Sequence, residues 1–405
     1  MSDNLTSLQL WLLSPLALIG AGLLLAQAFG LALQSRGLPK LYGAVAAGLL
    51  LGVSGLNLVD APLVAHFQEL FNAASALVLF EVGRKMDLAW LWRSKREGAA
   101  LAGSCLLRGV AAFVCLMLVG LNAGESFFIS AILVAVNPVV YSSMTSETNA
   151  SGVATFAGGN MVGLSNLLAL LALSVALAWT SSSAEQFTAA GFGGELLYQG
   201  GKLVLGAAIA VLCFGIYRLA TRLTRAQAAM RPGMLLAVLL MDLGLCSVSS
   251  ASALLSLLLM GLFLRNAENR DNVFQAQIKT GQDIGYALLF MMSASLVELE
   301  HLLAPATLAI AVLIFVVRIG ATRLALMSSK AWGTTKQHAL ALSMCSMASF
   351  GSLVVDNSLA SLPGVSARGA AIMAALLALN VLVAPALTWW GLRIAGETNE
   401  GEKNA

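Results

Sequence analysis

Long apolar runs alternate with short polar links along the whole chain. Thirteen such runs can be read, near residues 9–34, 41–57, 69–90, 98–121, 126–146, 152–180, 197–223, 233–248, 250–265, 280–298, 304–330, 337–360 and 369–393. Each is close to the roughly 20 residues that a helix needs to cross a bilayer. Apolar residues fill the runs instead of alternating with polar ones, so the spans are helices and not barrel strands. The shortest link, around Ser249, decides the count, because fusing the runs beside it inverts everything that follows. Composition agrees: 59% of residues are hydrophobic and 11% charged, where an average soluble chain carries about 25% charged residues. The predicted fold class is an all-α polytopic membrane protein of about thirteen transmembrane helices.

The basic residues test that count through the positive-inside rule. With the N-terminus outside, 19 of the 23 lysines and arginines fall on inner loops and the C-terminal tail. Lys202 and Arg368 alone fall outside, while Arg108 and Arg318 lie within spans. This predicts an integral protein of a bacterial inner membrane with a cytoplasmic C-terminus. The opening MSDNLTSLQL lacks a basic region and a cleavage site, so no removable signal peptide is expected.

Two stretches of the chain repeat each other. Ala76–Leu91 reads ALVLFEVGRKMDLAWL and Ala287–Leu302 reads ALLFMMSASLVELEHL, with Asp87 opposite Glu298. GLLLG at Gly48–Gly52 is answered by GLFLR at Gly261–Arg265. The two copies start from opposite sides of the membrane, so this is an inverted repeat, about 41–180 against about 250–393. Such repeats build alternating access around a midplane site flanked by discontinuous helices. The expected transmembrane domain is 1–396, followed by a short cytoplasmic tail, 397–405.

The repeat says where polar chemistry should gather. Pro138 lacks an N–H and must break its span near Val136–Asn137, leaving Asn137 beside freed carbonyls. The partner span holds Ser343, Ser346, Ser349, Gly351 and Ser352, a composition that fits either an unwound segment or close packing of small residues. Asn160, Ser165 and Asn166 reach mid-depth on the next span, as ligands or as interhelical hydrogen-bonding groups. Arg108 follows Ala76 by 32 residues and Arg318 follows Ala287 by 31, which makes the two arginines counterparts. Each needs a carboxylate, a run of carbonyls or an anionic ligand. Glu81 lies at the depth of Arg108, which leaves two candidate pairings: Glu81 with Arg108, as a structural lock, or Glu81 with Arg84 or Lys85, a span-end pair that would contribute little. Asp242 and Asp356 are the remaining buried carboxylates.

These residues resemble the monovalent cation:proton antiporters, in the branch of the Kef-type and sodium/proton exchangers. RGLPKLYGAVAAGLLLGVSGLNL is similar to that family's second span, FEVGRKMDLAWLWRSKRE to its third and FMMSASLVELEHLL to its tenth. VNPVV stands where the family breaks its fifth span, and Arg318 where it buries a Lys or Arg. The resemblance implies a sodium/proton-antiporter fold with two crossing broken helices. It also implies a core (98–180 and 304–393) moving against a panel (41–90 and 250–298), and a homodimer. The family's cation-carrying Asp falls on Asn166, in the pair Ser165-Asn166. An amide neither titrates nor carries charge, so the expected site is cationic, with Asn166 facing Arg318.

The expected activity is exchange of Na⁺ or K⁺ for protons, with Glu81, Asp242 or Asp356 supplying the missing carboxylate. Two alternatives stay open. One is carriage of a small anionic or zwitterionic solute on Arg318 and Arg108; the other is a scaffold without flux. Enzymatic activity is not expected, since His66, His301 and His338 all lie at span ends and no base or glycine-rich phosphate loop is present. The five cysteines sit in apolar runs without ligand spacing. No metal, cofactor or nucleic acid is therefore called for.

Overall fold

The computed structural model describes residues 15–183, 189–223, 231–267, 272–300, 304–329, 332–347 and 366–398. In chain order the helices are α1 (Pro15–Gln34), α2 (Leu41–Leu51), a short α3 (Ala61–His66), α4 (Gln68–Lys85), a short α5 (Leu88–Arg93) and α6 (Lys95–Leu118). The span predicted at 126–146 is two helices, α7 (Ala123–Val134) and α8 (Pro138–Glu147). Then come α9 (Val153–Ser183), α10 (Ala189–Leu223), α11 (Arg231–Ser249), α12 (Ala253–Ala267), α13 (Asn272–Ser295), α14 (Pro305–Leu326), α15 (Thr334–Ser343) and α16 (Ala367–Ile394). Among the described residues, eight helical segments are long and apolar enough to cross a membrane. The doubtful link is a true turn: Ser250 adopts φ +53°, and the amide of Ala251 bonds back to Cys246.

The second span is shorter than its apolar pattern suggests. α2 stops at Leu51 because Gly52 lies against the carbonyl of Ser295, where a Cβ would overlap backbone. The chain turns there, with Val53 N–H donating to Ser295 O at 2.9 Å.

The sequence repeat becomes two matching contacts. Gly48 on α2 presses on the carbonyl of Met291 on α13, and Gly261 on α12 presses on that of Phe80 on α4. The glycines are aligned positions of the repeat, and the aligned strings place Phe80 opposite Met291. The α2–α13 and α12–α4 contacts are therefore inverted copies of one another, each at backbone-to-backbone distance. α2 packs on α13 and α4 on α12, while α6 packs on α14. α7 and α8 lie among α6, α9 and α16.

Tyr42 joins α2 to α16 at a proline. Pro385 interrupts α16, and the Tyr42 hydroxyl enters the ladder beside it, donating to Leu382 O at 2.8 Å and accepting from Ala386 N–H at 2.9 Å. It stands between a donor and acceptor that would otherwise bond each other.

The tail begins as a structural part. Glu397, expected on the free tail, accepts from the amides of Ala154 and Thr155 and from the Thr155 hydroxyl at 2.7–2.8 Å, capping α9. Lys336 of α15 approaches it at 3.5 Å. Burial pushes the Glu397 carboxyl up, but these donors outweigh it and hold it below the usual carboxylate range.

Two outcomes are expected. Gly48→Ala and Gly261→Ala should each lower the unfolding temperature in detergent, by the equivalent of about 1–3 kcal/mol; equal shifts follow from their equivalence, and no shift in either contradicts the contact. Because the Glu397 pKa is depressed on folding, its contribution is complete above about pH 4.3 and is lost as the pH falls through the folded value. Glu397→Gln should lower stability at neutral pH by about 1 kcal/mol, and the gap from wild type should close in acid.

Candidate functional site

Pro138 sits at the first position of α8, so its missing N–H is harmless there and the break falls before it. Residues 135–137 lie outside the helices, with Ala135 and Asn137 extended. Asn137 is the N-cap of α8, its side-chain oxygen accepting from Val139 N–H at 2.9 Å and Val140 N–H at 3.4 Å. The second break opens after α15, where Met344 to Met347 leave the helix. Ser349, Gly351, Ser352 and Asp356 lie outside the described residues.

At each break a helix ends with carbonyls that have no partner in their own helix. The arginines take them, each reaching across to the other repeat. Arg108 on α6 donates to Val134 O at 2.8 Å and to Met344 O at 3.1 Å. Arg318 on α14 donates to Cys345 O at 3.0 Å, Leu133 O at 3.0 Å and Ser346 O at 3.4 Å. Both are essentially fully buried. A helix C-terminus carries roughly half a negative charge, so two of them offset about one of the two guanidinium charges. The crossing remains cationic.

The asparagines complete the clamp. Asn166 on α9 donates to Val136 O at 2.9 Å and to Val162 O at 2.8 Å, and Ser165 beside it accepts from Val136 N–H at 3.2 Å. Asn380 on α16, absent from the sequence reading, does the same at the second break: it donates to Met347 O at 3.0 Å and accepts from Met347 N–H at 2.8 Å. Asn166 follows Arg108 by 58 residues and Asn380 follows Arg318 by 62, so the repeat itself could have flagged Asn380. Ser346 contributes its carbonyl, while its hydroxyl has no hydrogen-bond partner. Asn160 binds elsewhere, accepting from Asp87 N–H at 2.7 Å.

Asn166 and Arg318 meet on one strand, and Glu81 takes the nearer of its candidate partners. Asn166 and Arg318 grip the same unwound strand, at Val136 O and Leu133 O, and no hydrogen bond joins them. Glu81 does not meet Arg108, whose terminal nitrogens donate to carbonyls and to the Cys105 sulfur while its Nε has no hydrogen-bond partner. It forms a 2.9 Å ion pair with Lys85, one turn on. That pair is no loose surface contact: the Glu81 side chain is 12% exposed, the Tyr286 hydroxyl of α13 donates to it, and Lys85 reaches Ser142 of α8 at 2.8 Å. Spacing gives depth along a helix but not direction around it, and Tyr286 carried no polar signal in its apolar run.

A cleft of about 400 Å³ leads to this cluster. Gln27 and Gln34 of α1, Lys40, Ser146 and Glu147 of α8, and Asp283 line it, and Tyr286 stands at its wall. Glu147 accepts from the Lys40 amide across the mouth. Tyr286 thus touches both the cleft and Glu81.

Asp242 is apart from all of this, buried on α11. Among the described residues, no group of three or more His, Cys, Asp or Glu could hold a metal ion.

The profile of the family described as "Sodium/hydrogen exchanger, transmembrane" matches residues 18–390 of the chain. No curated protein sequence matches. Among solved structures, the chain is similar to the sodium proton antiporter MjNhaP1 from Methanocaldococcus jannaschii at pH 8, with a TM-score of 0.68 and 16% identity over 95% of this chain and 98% of that one. At that identity the likeness is one of fold. With the family matched across nearly all of the chain, this protein belongs to the sodium/hydrogen exchangers and is an integral membrane transporter of the monovalent cation:proton antiporter type.

Proposed function

We propose that exchange runs through Glu81 and not through the crossing of the broken helices. The observation that carries this reading is the crossing itself, where two buried guanidiniums and two amides meet backbone groups and the Cys105 sulfur, and no carboxylate faces them among the described residues. A free cation entering there meets repulsion of several kcal/mol at an effective dielectric near 20. Glu81 offers the opposite environment. Its carboxylate, the Tyr286 phenol and the Ser142 hydroxyl supply hard oxygen ligands around the place now taken by the Lys85 ammonium.

In this reading Lys85 is the tethered competitor of the transported cation. The cation enters by the cleft, displaces the ammonium from Glu81, and leaves when the carboxylate is protonated or the lysine returns. The basic end of the bundle, which carries Lys40, Lys85 and Lys336, faces the cytoplasm, so the cleft is the inward opening. The helices of 98–180 and 304–393, clamped by the arginines, move as one body against those of 41–90 and 250–298. Ser142 lies on the first group and Glu81 on the second, so the site is assembled across the moving boundary.

Proteoliposomes with an internal pH dye test this. Glu81→Gln should reduce Na⁺- or K⁺-driven proton flux at least tenfold, and Glu81→Asp should retain part of it; wild-type flux in Glu81→Gln sinks the reading. Asn166→Asp should not raise the flux. It loses two buried hydrogen bonds and sets carboxylate oxygens against carbonyls, at a cost of about 1–3 kcal/mol for each unsatisfied group. A lower unfolding temperature with unchanged or reduced exchange is the expected result.

A further inference from the structure

Asp242 is a buried carboxylate to which neither the crossing nor the cleft gives a role. It is fully buried on α11. The Cys246 thiol, one turn on, donates to Oδ1 at 3.4 Å, and Cys213 of α10 and Ser256 of α12 stand beside the carboxyl. Neither Oδ2 nor the Ser256 hydroxyl is in full hydrogen-bond geometry, so Ser256 and Cys213 act on the carboxyl only as weak neutral donors. The helices packed on α11 are α10, α12, α4 and α13. Among the described residues they bring Cys213 and Ser256 to Asp242, but no lysine, arginine, histidine or second carboxylate acts on it. A carboxylate so placed has no countercharge, and burying an unpaired ion is far more costly than burying the neutral acid.

The same turn of α11 opens on a second cavity. It measures about 510 Å³ and is lined by Glu69, Asn72 and Ser75 of α4, by Lys202 of α10, and by Cys246 and Ser247. α4 begins near Glu69 and reaches Glu81 and Lys85 only at its far end, so this cavity lies at the opposite end of the bundle from the cleft. Cys246 belongs to both places, lining the cavity and touching Asp242.

We infer that Asp242 is a second protonation site, which takes its proton from water in the Glu69–Lys202 cavity past Cys246. The step is an acid–base exchange alone: a proton leaves hydronium, forms an O–H bond at Oδ2, and returns the same way. The site is separate from Glu81, so proton and cation need not compete for one carboxylate. The inference goes beyond the Glu81 reading and does not rest on it.

Infrared spectra of the full-length protein in lipid test this over pH 5–9, with Asp242→Asn subtracted. A protonated-carboxyl C=O band is expected in wild type, absent from Asp242→Asn, shrinking as the pH rises, and retained in Glu81→Gln. Its retention there keeps this test independent of the transport reading. A second measurement needs no variant. A hydrophobic carbodiimide, which attacks protonated carboxyls, should label Asp242 at low pH at least several-fold more than at high pH, as mapped by peptide mass. No band at any pH means that Asp242 is always ionised, and a band or label that ignores pH means a permanently neutral structural acid; either result overturns the inference.

Discussion

Two helix ends of the same sign point at one another in the middle of this molecule. α7 and the segment after α15 both present carbonyls there, and Arg108 and Arg318 keep them together. Each arginine spans from its own repeat to the other, so neither break can open without stripping a guanidinium of its acceptors. Leaving such a charge uncompensated in a buried place costs several kcal/mol. The unwound residues on either side and their asparagine clamps gather at that joint.

That joint is also the reason we propose the exchanger site elsewhere. An aspartate at position 166 would bring a negative group to a cationic crossing, but it would forfeit the two donations that hold Val136 and Val162. With asparagine there, the crossing is neutral in its amides and positive in its arginines. The oxygens suited to a cation lie instead at Glu81, Tyr286 and Ser142, where three helices from both repeats converge.

How much of this is legible in the chain depends on what kind of information each feature needs. Span count and repeat are one-dimensional facts, and Gly48, Gly261, Pro138 and the paired arginines declare them openly. Pairing is a fact about direction around a helix. Arg108 and Glu81 share a depth yet face different neighbours, and one turn of α4 suffices to give Glu81 to Lys85. Asn380 and Tyr286 were hidden for another reason: each is a lone polar group in an apolar run, and only its partner reveals its use. Glu397 looked like tail because its role lies in the amides of α9, which no side-chain pattern records.

The Tyr42 contact has a mechanical side. It fastens α2 to α16 through a single oxygen set into the helix ladder beside Pro385. The phenol ring can swing about the C–O bond while the O–H stays aimed at Leu382, but the oxygen cannot slide along the helix without leaving Leu382 and Ala386 unpaired. Such a fastening resists translation and permits rotation. Wherever these two helices shift against each other, the phenol oxygen is the pivot, and displacement grows with distance from it along α16.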